Sequence, residues 1–142
     1  MKILVASDGS KNSMRALKYA VALVGQLNAK TSSLTVISVH DDAGLRHAKA
    51  FVGKDAVADY LRELSDKELK PAVKFLKDSG IKHDMVIRTG HVAEEIVKEA
   101  SSSKYDMIVL GSKGRTSLAD LLVGSVAQRV MSTAKQPVLL VK

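Results

Sequence analysis

Apolar residues fall in this chain into two arrangements that alternate from one end to the other: short unbroken runs, and recurrences at helical spacing. The first run, Ile3 to Ala6 within KILVAS, has no polar interruption, which is the mark of a strand covered on both faces. SLTVISV (Ser33 to Val39) and DMIVL (Asp106 to Leu110) read the same way, the former dense in β-branched residues. PVLLV (Pro137 to Val141) predicts a fifth strand, its proline tolerable at the first position. HDMVIRTG differs, since Met85 and Ile87 alternate with Val86 and Arg88, and such a mixed pattern suits a strand near a sheet edge.

Between the runs the period changes. Met14, Leu17, Val21 and Val24 define one face of a helix that starts at a Ser10 N-cap and ends near Asn28. A second helix is predicted from about Asp55 to Ser79, with Val57, Leu61, Leu64, Ala72 and Phe75 on one side and Gly80 as its stop. Pro71 lies inside it and is expected to kink it or divide it in two, because proline lacks a donor and crowds the preceding turn. HVAEEIVKEA gives a third helix with Val92, Ile96, Val97 and Ala100 inward, and a fourth runs from about Ser125 to Thr133. The stretch from His40 to Lys54 shows no period and reads as a long loop with room for a helical turn.

The order βαβαβαβαβ calls for an α/β fold, a doubly wound parallel sheet with right-handed crossovers and helices on both faces. At 142 residues the chain fits a single domain, residues 1–142, able to bury a core without disulfides. A sheet of this kind binds ligands beyond the carboxyl ends of its strands, where strand order reverses. With strand one central between strands two and four, Ser7, Asp8 and Gly9 face one crevice together with Leu110 and Gly111.

Composition narrows the chemistry. There is no cysteine, so thiolate metal sites, disulfides and cysteine nucleophiles are excluded. The first apolar run is too short for a signal peptide, and no stretch approaches the roughly 18 apolar residues of a membrane span, so no membrane insertion and a cytoplasmic location are expected. A formal charge of +7 favours anionic partners. The cations are scattered and aromatics make up only 4%, which argues against a base-stacking platform for nucleic acid.

GSKGRTSLADLLVGS follows directly on the strand MIVL. Gly111 and Gly114 allow a sharp bend that exposes N–H groups to an anion. Gly124 and Ser125 stand where the next helix begins, with its unpaired N–H groups and positive dipole end. Lys113 and Arg115 add charge, and Leu118, Leu121, Leu122 and Val123 form an apolar middle that pins the segment. Taken alone, these glycines are equally explained as turns. Neither GxxxxGK[ST] nor GxGxxG occurs in the chain.

The full pattern, Gly111-x-x-Gly114, nine residues, then Gly124-Ser125, resembles the ATP-binding signature of the universal stress protein family. The opening KILVASDGS, the strand end VISVHD, TGHVAEEIVKEA, YDMIVLGSKG and the closing GSVAQRVMSTAKQPVLLVK carry the resemblance along essentially the whole chain. The resemblance implies a Rossmann-like five-stranded sheet in the order 3-2-1-4-5. It also implies an ATP site made of Ala6, Ser7, Asp8, Val39, Leu110, Gly111, Ser112, Lys113, Gly114, Arg115, Gly124, Ser125 and Val126. Within it Asp8 serves the adenosine portion, Val39 a main-chain contact to adenine, and the glycines and Ser125 the ribose and phosphates. Lys113 stands where many members carry histidine or arginine. Mg²⁺ or Mn²⁺ is the cation that would accompany ATP, and a homodimer through Pro137 to Val141 is the implied assembly.

The remaining candidates have plainer explanations. Asp8 alone would be a turn residue bonding its own backbone. Asp41 and Asp42 could assist a phosphate-bound Mg²⁺ or belong to a solvated loop. His40, His47, His83 and His91 have no metal-ligand spacing and are assigned loop or surface roles. The functional expectation is an ATP-binding stress-response or regulatory protein. The alternative is a slow ATP hydrolase or phosphate-transfer enzyme, disfavoured because no acid or glutamine is placed by spacing near the phosphates.

Overall fold

A computed structural model describes residues 1–41, 50–113 and 123–142. The apolar runs become five strands, β1 (Lys2–Ala6), β2 (Ser33–His40), β3 (His83–Thr89), β4 (Met107–Gly111) and β5 (Val138–Val141). Four helices are set between them, α1 (Lys11–Gln26), α2 (Lys54–Ser79), α3 (Val92–Ser102) and α4 (Ser125–Thr133). All strand pairs are parallel, and the order is β3-β2-β1-β4-β5, as the resemblance implies. β1 is therefore central. Its Val5 stands beside Val36 of β2 and Val109 of β4.

The alternation of side chains along the central strands feeds two cores. Ile3, Val5, Leu34, Val36 and Val109 pack with Ala16, Leu17, Ala20 and Val24 of α1 and with Ala72 and Leu76 of α2. Leu4, Ile37, Ile108 and Leu110 face the other way, onto Ala93, Ile96 and Ala100 of α3 and Ala127 and Val130 of α4. Each fully buried Val, Leu or Ile among them contributes about 1.5–3 kcal/mol of transfer free energy, the alanines less. The sheet is thereby fixed from both sides, and its carboxyl edge is held rigid.

Three local expectations are revised. The helix containing Pro71 is one element of 26 residues rather than two pieces. Pro71 is exposed, so the carbonyl it leaves unbonded one turn earlier faces water rather than the core. Its buried face is Val57, Ser65, Leu69, Ala72 and Leu76, while Leu61, Leu64 and Phe75 are half-buried. β2 continues one residue past its apolar run to include His40, which is 7% exposed rather than on the surface, because its backbone still pairs with β3 and its ring is covered by α2. Residues 50–52 are helical, within the stretch expected to be loop.

α3 buries an unexpected charge. Glu99 is 7% exposed, and its carboxylate accepts from Arg88 of β3 at 2.8 Å and from the Ser103 hydroxyl at 2.9 Å. Nearby, burial pushes the Tyr105 phenol above the ordinary 10.0, against a hydrogen bond with Thr35 that lowers it.

Candidate functional site

The carboxyl ends of β1, β2 and β4 open onto a crevice of about 440 Å³, within the usual range for small-molecule sites. It forms because successive strand ends diverge there, β1 leading back to α1 while β4 leads on towards α4. Ser7 still donates its N–H to the Ile37 carbonyl at 2.9 Å, so the floor of the crevice remains sheet. Asp8 turns the chain, its Oδ1 accepting from the Ser10 N–H at 2.9 Å, and it also lines the crevice. The turn expected of Asp8 is thus present, at the rim of the crevice.

On the opposite side, Gly111 brings β4 against the first turn of α1. A Cβ at that position would lie 2.9 Å from the backbone carbonyl carbon and oxygen of Asn12. Ser112 is buried, donates its N–H to the Val141 carbonyl at 2.8 Å and accepts from the Gly124 N–H at 2.7 Å. That last bond sets the start of α4 beside the end of β4. Gly124 is the N-cap of α4 with φ −72 and ψ 160, a conformation open to any residue, and as a glycine it has no side chain with which to cap the helix. The first turn of α4, Ser125 to Ala127, lines the crevice, and its N-cap glycine offers those N–H groups no side-chain acceptor of its own. α1 contrasts with it, since Ser10 Oγ accepts from Ser13 N–H at 3.2 Å.

The structure gathers Ala6, Ser7, Asp8, Val39, Leu110, Gly111, Lys113, Gly124, Ser125 and Val126 around this single crevice. Ser112 is not among the residues lining it and acts through its backbone. Gly114 and Arg115 lie outside the described residues, as do Asp42, His47 and the apolar Leu118, Leu121 and Leu122. Asp41, weighed from the sequence as a helper of a phosphate-bound Mg²⁺ or as a loop residue, also lines it, as do residues given no site role there, among them Ser13, Ile37, His40, Glu68, Val92 and Ile96. Glu68 and Ser13 come from helices whose patterns carried no chemical signal; His40 could have been found had the strand been extended by one residue. Among the described residues there is no cluster of three or more metal-ligating side chains, and no helix is long and apolar enough to cross a membrane.

The fold is of the doubly wound class, with a crevice at the carboxyl ends of its strands, and comparison with known proteins gives its family. Residues 1–142 match the universal stress protein family, and the chain belongs to it. It is 34% identical to universal stress protein MJ0531 of Methanocaldococcus jannaschii, over 99% of this chain and 81% of that protein. Its fold is similar to the solved structure of MJ0577, with a TM-score of 0.85, 32% identity, and 99% and 94% of the two chains covered. A universal stress protein solved in complex with cAMP is 25% identical, with a TM-score of 0.62, covering 99% of this chain and 95% of the other.

Proposed function

We propose that this protein is a cytoplasmic, ATP-binding regulatory member of the universal stress protein family, acting as a homodimer in the response to stress. The observation that carries the reading is the glycine-capped start of α4, which with Lys113 lines the same crevice that Asp8 and Val39 line from the other strands. Helix N–H groups, a positive dipole end and a lysine favour phosphate. The relative in complex with cAMP supports an adenine nucleotide as the ligand.

The site residues fit the absent group. Backbone donors at Ser125 and Val126 would meet phosphate, with Gly124 giving room for close approach and Gly114 and Arg115 completing the motif. Mg²⁺ or Mn²⁺ would be held chiefly by phosphate oxygens and water. ATP supplies a charged triphosphate whose occupancy the protein can report.

Titration calorimetry with ATP tests the reading. Gly124→Val keeps an allowed backbone conformation and adds bulk where phosphate would approach. Affinity is expected to fall about tenfold or more, a loss of about 1.4 kcal/mol, with an unchanged circular dichroism spectrum. A folded variant that binds ATP like the parent would show that this glycine is only a helix start.

A further inference from the structure

The crevice is chemically lopsided. At the end beyond β4 it carries Lys113 and the first-turn N–H groups of α4. At the end beyond β2 it carries His40 with the carboxylates Asp41 and Glu68. β1 lies between these strands, so the two ends are two strand spacings apart, about 10 Å. With phosphate at the start of α4, as the nucleotide reading has it, the β2 end is the part of the crevice left for a flat aromatic head.

At the ring end the protonation of His40 is decided by a neighbour. Its Nε2 meets the Ser65 hydroxyl of α2, and Ser65 is fully buried. That hydroxyl donates to the Leu61 carbonyl at 2.7 Å. A hydroxyl has one proton, so towards the imidazole it can only accept, and Nε2 carries the hydrogen. In the neutral ring Nδ1 is then a hydrogen-bond acceptor. Among the described residues the ring's hydrogen bond is the one to Ser65.

We propose that His40, with its tautomer set by Ser65, selects the base of the bound nucleotide: Nδ1 accepts from an exocyclic amino group and disfavours a carbonyl there. A 6-aminopurine gains the bond, whereas a 6-oxopurine sets one lone pair against another. His40 is the specificity-determining residue and Ser65 the positioning residue. The inference rests on the nucleotide reading of the crevice and adds to it the origin of the choice of base.

The experiment compares ATP with inosine triphosphate, which has a 6-oxo group in place of the amino group, by titration calorimetry. The unmodified protein is expected to prefer ATP by about three- to tenfold, the worth of one hydrogen bond. Ser65→Ala removes the acceptor, lets either ring nitrogen carry the hydrogen and should shrink the preference towards parity. Ser65→Thr keeps a hydroxyl and should restore it. Nitrogen-15 NMR of the unmodified protein should show the His40 ring protonated at Nε2. Equal affinity for the two triphosphates, a preference unmoved in folded Ser65→Ala, or a ring protonated at Nδ1 would each overturn the inference while leaving ATP binding intact. Binding of neither triphosphate would instead remove the nucleotide reading on which it rests.

Discussion

At the scale of the residue, the two described glycines of the motif do different work. Gly124 has an ordinary backbone conformation, so in the proposed site it serves by giving phosphate room to approach the start of α4. Gly111 is a packing glycine, because a Cβ there would press on the Asn12 carbonyl group at 2.9 Å. Backbone cannot step aside as a flexible side chain can, so Gly111→Ala must separate β4 from α1. It is expected to lower stability by about 1–3 kcal/mol, read as a reduced Tm in thermal denaturation; an unchanged Tm would mean that α1 retreats freely. That Gly111, Gly124, Asp8 and Val39 come to one crevice was legible in the sequence, because they stand at strand ends or a helix start and carry a family pattern. His40 was not, since nothing in one strand's composition reveals that a serine 25 positions on covers its ring. Glu68 was hidden for the same reason: a carboxylate on an amphipathic helix looks solvated until the helix is docked.

At the scale of the element, strands were read well and the long helix less well. Strands buried on two faces are largely apolar, and that marks β1, β2 and β4, although β2 also buries Thr35 and Ser38. A helix needs only one face, so α2 tolerates both a buried Ser65 and an exposed Pro71. The proline is a local preference overruled by docking on either side of it, through Leu69, Ala72 and Leu76. Pro71→Ala should restore a helix hydrogen bond and relieve crowding of the preceding turn, partly offset by a freer unfolded chain. A gain of about 1–2 kcal/mol is expected in urea denaturation; loss of stability would mean that the proline is accommodated by a bend on which packing depends. Glu99 shows the converse failure, a charge that the pattern assigns outward but that Arg88 and Ser103 hold inside.

At the scale of the whole molecule, the two sheet edges are unlike. β3 carries Asp84 and Arg88, charges that discourage strand pairing, whereas Val138, Leu139, Leu140 and Val141 of β5 are all half-buried and carry none. The β5 edge is therefore the one expected to pair with a second copy about a two-fold axis. Light scattering should give twice the 15.2 kDa chain mass, and Leu139→Lys with Leu140→Lys should give monomer or aggregate. A single-chain mass at every concentration would sink the dimer. The central place of β1 also has a bearing on biosynthesis. Its backbone partner at Lys2, the Asp106 carboxylate, lies 104 positions further along the chain. While the ribosome is still making the intervening helices, β1 can pair only on its β2 side, and its other edge stays open. The nascent chain thus cannot close its sheet by halves, and the interval before β4 emerges is when a chaperone would find an unfinished apolar edge to hold.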